Sequence, residues 1–80
     1  MSETLKFKGR LLEMQNEMQQ TELRIKGLVA SIRDCLDPFA RIEDLRADEA
    51  AQQAVELANL RIRWNEIGHE VRAIQKALGK

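Results

Sequence analysis

The sequence predicts an all-α fold: a long antiparallel helical hairpin, coiled-coil-like, with a short helical corner at about 38–45, dimerising into a four-helix bundle. Three observations predict it. The residues Leu57, Leu60, Trp64, Ile67, Val71, Ile74 and Leu78 fall alternately three and four apart, which draws a heptad seam on one helical face. A second seam runs through the first part of the chain, with Thr4, Leu11, Met18, Ile25 and Ile32 at a and Phe7, Met14, Thr21, Leu28 and Cys35 at d. The only proline, Pro38, stands between the two seams.

The first helix is expected over about 3–36. Ser2 or Thr4 is placed to cap it, and Glu3 complements the N-terminal end of the helix dipole. Gly9 and Gly27 fall off the seam, each costing about 1 kcal/mol relative to alanine. Pro38 disfavours helical geometry at Asp37, and the pair also reads as a fresh start, with Asp37 as N-cap and Pro38 at the first helical position. Phe39, Ile42 and Leu45 then recur every third residue, out of phase with the later seam. Within the corner, about 37–47, residues 38–45 are therefore read as a separate short helix or helical corner whose apolar side plugs the end of the bundle. Asp48 is the expected cap of the last helix, about 48–78, ending before Gly79. Ala47, Ala51, Ala54 and Ala58 make a small-residue stripe near its start. The 80 residues make one helical-hairpin domain, 1–80, with no internal repeat and no low-complexity linker.

Two long helices joined by a short corner fold back on one another. One register sets Phe7 opposite Leu78, Leu11 opposite Ile74, Met14 opposite Val71 and Met18 opposite Ile67. It continues with Thr21 opposite Trp64, Ile25 opposite Leu60, Leu28 opposite Leu57 and Cys35 opposite Ala50. Large groups then face small ones, and Glu22 flanks the seam beside Arg61. This register brings Glu17 toward Glu70 and Arg24 toward Arg63, which repel. A shift of one heptad gives three opposite pairs instead: Arg10 with Glu70, Glu17 with Arg63, and Arg24 with Glu56. Surface pairs contribute about 0–1 kcal/mol each, so core fit selects the first register within a chain. The charge pattern is left to describe contacts between chains.

The expected core and interface residues are Leu11, Met18, Ile25, Leu28 and Ile32 with Leu57, Leu60, Trp64, Ile67, Val71 and Ile74. Further apolar residues lie off the seams. Leu5 and Leu12 on the first helix, and Val55 and Ile62 on the last, repeat at heptad spacing and are the expected oligomer or partner face. Leu23, Val29 and Leu36 add to it. Self-association as a twofold dimer follows most simply. A monomer whose corner covers these faces, and a surface kept for another protein, are the alternatives.

Chemistry is sparse. Glu66 and His69 have the Glu-x-x-His spacing of bundle metal sites, yet the seam puts both on the outer face and no other histidine exists, so no metal or cofactor is expected. Cys35 holds a d position, where a small buried hydrophobe is expected rather than a nucleophile. No phosphate-binding loop or catalytic triad pattern occurs, and an enzyme is not expected. Formal net charge is zero. It is unevenly spread: residues 1–10 carry Lys6, Lys8 and Arg10 against Glu3, for +2, and residues 72–80 carry Arg72, Lys76 and Lys80, for +3, leaving −5 elsewhere. In a hairpin those basic segments meet at the open end, where Lys6, Lys8, Arg72 and Lys76 are candidate phosphate contacts.

One cysteine excludes an intrachain disulfide framework and fits a reducing compartment. No apolar run reaches the roughly 20 residues of a membrane span, and the first six residues lack a signal-peptide core. A cytoplasmic location is expected. The expected function is a non-enzymatic protein–protein interaction or assembly module, a small helical accessory or adaptor protein that homo-oligomerises. A small nucleic-acid-associated regulator is the alternative. On its heptads alone the chain resembles, in a generic way, small helical-hairpin accessory proteins of bacterial or phage type.

Overall fold

The computed structural model describes residues 3–79. Two long helices, α1 (Glu3–Cys35) and α2 (Ala47–Ala77), lie against one another in an elongated body 61 Å long and 18 by 14 Å across. Among the described residues there is no strand. The all-α hairpin read from the two seams is what forms.

Helix α1 runs uninterrupted because nothing before Pro38 breaks it. Glu3 lies in its first turn and Arg33 in its last, each with the sign the helix dipole favours. Thr4 lies inside the helix, so it does not cap it, and Ser2 falls outside the described residues. The chain leaves α1 through Leu36, whose N–H donates to the carbonyls of Ile32 (3.0 Å) and Arg33 (3.3 Å).

The corner differs from expectation. Asp37 does cap, but only a single turn: its Oδ1 accepts from Phe39 N at 2.9 Å, and its carbonyl accepts from Ala40 N at 3.1 Å. The one helical piece is the three-residue 3-10 turn Ile42–Asp44, not a helix over 38–45. Nor does the corner plug the hairpin. Phe39 is 93% exposed and Ile42 87% exposed. The physical reason lies just inside. Arg46 N donates to Cys35 O at 3.2 Å, which pins the start of α2 to the end of α1. Cys35 and Ala50, both buried, already close the seam there and leave no gap for a ring.

Helix α2 starts one residue earlier than its sequence signals suggest. Arg46 takes the N-cap position without a side-chain cap bond, and its carbonyl accepts from Ala50 N at 3.0 Å. Asp48 and Glu49 therefore sit in the first turn, where they act on the dipole rather than as caps. At the far end Gly79 has φ 77°, the left-handed conformation that glycine adopts without a Cβ penalty, and its N–H donates to Lys76 O.

The core follows the two seams. Leu11, Met14, Met18, Ile25, Leu28 and Ile32 of α1 are half-buried, and Thr21 and Cys35 are buried. On α2, Leu57, Leu60, Trp64 and Leu78 are half-buried, while Ile67, Val71 and Ile74 are buried. Phe7 is 37% exposed, so the seam loosens toward the open end. Thr21 is a buried hydroxyl satisfied locally, donating to Glu17 O at 2.8 Å.

Three glycines interrupt the helices, and two serve no packing need. A Cβ at Gly9 or Gly27 would meet nothing within 4 Å. Replacing both with alanine should raise stability by about 1 kcal/mol at each site. Chemical denaturation of Gly9→Ala/Gly27→Ala checks this, and an unchanged or lower midpoint would show that these turns need glycine. Gly68 differs: it is buried, and a Cβ there would lie 3.5 Å from Met18 Cε. A Cβ at this position would make ordinary van der Waals contact with that methyl, so the helix approach does not require glycine.

Candidate interaction surface

Heptad letters make the surface explicit, taking Leu11 and Leu57 as a positions. At 100° per residue, positions e, b and f follow one another around one flank of each helix, and g and c occupy the other. In an antiparallel pair the two g rows face each other, as do the two e rows.

The g flank is charged, and it pairs within the chain. Arg10 reaches Glu70 (3.2 Å), Arg63 reaches Glu17 (2.8 Å) and Arg24 reaches Glu56 (2.6 Å). These are the three pairs that the sequence reading assigned to a shifted register or to contacts between chains. That assignment is corrected: all three form inside one hairpin. Contacts of the first register form beside them. Met18 lies against Gly68, Trp64 Nε1 donates to Glu22 Oε1 (3.0 Å), and Cys35 Sγ lies 3.5 Å from Glu49 Oε2. Each is one residue from a pair which that register names.

Side-chain length reconciles the two sets. Each ion pair joins the residue before an α1 seam position to the residue four before its α2 partner: Arg10 and Glu70, for instance, beside Leu11 and Ile74. Five residues of offset are about 7.5 Å along the axis, within reach of an arginine and a glutamate extended toward each other. Both Arg63 Nε and Nη2 donate to Glu17 Oε1, which holds the Arg63 pKa above its ordinary value. Glu22 was paired with Arg61 on sequence; its partner is the Trp64 indole, while Arg61 is exposed.

The other flank carries the exposed apolar residues. Outside the seam, the exposed large hydrophobic residues of the two helices are Leu5 and Leu12 at b, Val29 at e, and Leu23, Val55 and Ile62 at f. Leu36, just past α1, continues the e row and is also exposed. Ala47 and Ala54 at e and Ala51 and Ala58 at b fill the α2 side of that flank. In contrast, no g or c position of either helix carries an apolar residue larger than alanine. The hairpin is thus two-sided: an ion-pair ladder lies on one flank, and the exposed aliphatic residues lie on the other, set among Lys8, Glu22, Lys26, Arg33, Arg61 and Arg72.

Sequence reasoning passed over one residue here. Gln53 holds the d position between Ala50 and Leu57, and its buried Oε1 has no hydrogen-bond partner among the described residues. Its polarity hid it, and only counting on from Ala50 by the heptad finds it. Glu56 Oε2 is likewise buried without a hydrogen bond of good geometry, but Arg24 stands 2.6 Å away and balances its charge.

The remaining candidates are separated from one another. Glu66 and His69 are exposed, and His69 Nδ1 accepts from Arg72 Nη2 at 3.2 Å. Among the described residues no three His, Cys, Asp or Glu side chains gather to hold a metal ion. Lys6, Lys8, Arg72 and Lys76 are exposed near the ends of α1 and α2 that meet at the open end. Among the described residues no helix is long and apolar enough to cross a membrane.

Cys35 lies at the opposite end, 2% exposed. Burial pushes its thiol pKa up, the hydrogen bond to Glu49 adds to this, and Arg46 offsets part of it. A raised pKa keeps the thiol neutral, so its share of stability is complete below the unfolded value of about 8.5 and is lost as pH rises through the folded value. The folded chain should therefore react with a thiol reagent at pH 8 at least about tenfold more slowly than the unfolded chain. Equal rates would show that the corner opens freely.

Comparison with protein-family models, curated proteins and solved structures finds no match to this chain.

Proposed function

We propose that this chain is a non-enzymatic protein–protein interaction or assembly module, a small helical accessory protein that works as a homodimer. The dimer is a twofold four-helix bundle made of two hairpins. One observation carries the reading: every exposed large aliphatic residue of the two helices outside the seam lies on the e, b and f side, opposite the ion-pair ladder. Scattered exposed apolar residues are ordinary. Confinement to one flank along the length of a hairpin is the pattern of a surface meant to be covered.

Energetics point the same way. A hairpin of 80 residues has a narrow core, and few of its large side chains are fully buried. Chains of this size commonly need a partner, a metal or disulfides to be firmly stable. A single cysteine leaves no intrachain disulfide to supply that stability, and association with a second copy would supply it. Light scattering over a concentration series, with helix content recorded on the same samples, tests the proposal. Twice the chain mass supports it; a well-folded monomer throughout leaves the flank for a different protein and removes the homodimer.

A second reading rests on the basic open end, where Lys6, Lys8, Arg72 and Lys76 are exposed. It makes the chain a small nucleic-acid-associated regulator that contacts phosphates without reading bases. Binding would then fall steeply with added salt and with alanine at those four positions, and the absence of a mobility shift at low salt removes it.

A further inference from the structure

We infer that the apolar flank seats a second copy of this chain in antiparallel orientation, so that the corner of each copy lies over the open end of the other. This rests on the homodimer reading and adds to it a face and a direction.

The area is sufficient. The hairpin presents a face 61 Å by 18 Å, a footprint of about 1,100 Å² on each copy. Covering it removes about 2,000 Å² in total, at the upper end of what a standard stable protein interface buries. The opposite flank offers the same footprint, but its arginines and glutamates are already paired within the chain, and a second copy would have to desolvate them.

Charge selects the direction. Residues 37–49 at the corner carry five carboxylates against two arginines. Residues 3–10 and 70–79 at the open end carry five lysines and arginines against two glutamates, Glu70 being paired with Arg10. A twofold axis across the middle of the hairpin brings each acidic corner to the partner's basic open end, twice. A parallel pairing sets acid on acid and base on base, at a cost that grows as salt is lowered.

Lys8, Lys26, Arg33, Arg61 and Arg72 share the e and b rows, where their long stems can carry the charges to the rim, and Glu22 there is held by the Trp64 indole.

The test is a distance between two copies. A spin label at Phe39→Cys in a Cys35→Ala background marks the exposed tip of each corner. Antiparallel pairing separates the two labels by about the length of the body, 61 Å. A separation under about 25 Å, two hairpins side by side plus the label arms, overturns the orientation while leaving the dimer intact. A monomer mass on the same samples overturns the homodimer itself. Where the doubly substituted chain does not fold, zero-length carbodiimide coupling of the unmodified chain answers instead. Covalent dimers joining Lys6, Lys8 or Lys76 to Glu43, Asp44 or Asp48 are expected, since one hairpin holds these groups at opposite ends. Covalent dimers without such links overturn the orientation.

Discussion

Ile67→Ala should remove about 2–4 kcal/mol of folding stability, the cost typical of truncating a fully buried aliphatic side chain to alanine. Ile67 is 0% exposed and opens the best-buried stretch of the seam, with Val71 and Ile74 following it. Removing its three outer carbons loses their transfer energy and leaves a cavity between two long helices that cannot close without bending. A domain of this size has about 4–12 kcal/mol in total, so the variant gives up a large share of its stability. Thermal unfolding followed by helix ellipticity would show a midpoint lower by about 10–25 °C. Ile42→Ala is the matched control. The same side chain at the corner is 87% exposed, and its loss should change stability by no more than about 0.5 kcal/mol. Equal effects of the two substitutions would mean that the seam through Ile67 is not the core.

The contrast between these two isoleucines marks where the sequence was readable. Ile67 belongs to a period of three and four kept over three heptads, and a period held that long has one structural meaning. Ile42 belongs to a period of three kept over Phe39, Ile42 and Leu45 only. So short a run fits a helical turn, a 3-10 turn or a loop equally well. What decided the corner was long-range: the bond from Arg46 N to Cys35 O and the closure of the seam by Cys35 and Ala50. No local pattern announces either.

The flanks were legible only in part, for a different reason. The pairing of Arg10, Glu17 and Arg24 with Glu70, Arg63 and Glu56 was visible as charge alternation. It was set against the core register because both were treated as pairs at one height. Arginine and glutamate bridge an axial offset that leucine and isoleucine cannot, so charge pairs fix a register less tightly than core pairs do. With the ladder placed inside the hairpin, the other flank stands out as the side that carries the exposed aliphatic residues.

Ile62→Glu tests that side directly, and should raise the dimer dissociation constant by about a hundredfold or more. Ile62 is 60% exposed, so the hairpin itself loses little when it is replaced. Glutamate is at least as good a helix former as isoleucine, and its repulsion from Glu66 four residues on costs only a few tenths of a kcal/mol. Helix content is therefore expected to hold. The proposed dimer meets a different cost. Ile62 is the midpoint of Ala47–Ala77, level with the twofold axis of an antiparallel pair, so the two introduced carboxylates lie near one another as well as against aliphatic surface. Burying a charge without a partner costs several kcal/mol, and every 1.4 kcal/mol is a factor of ten in affinity. Asn59→Glu adds the same charge one turn away at a c position, on the flank that already bears the ion pairs, and should leave the mass unchanged. Light scattering on both variants separates the possibilities. Loss of mass for Ile62→Glu alone assigns the interface to the aliphatic flank. Loss for both would mean that added negative charge anywhere dissociates the dimer, and no loss for Ile62→Glu would move the interface away from this face altogether.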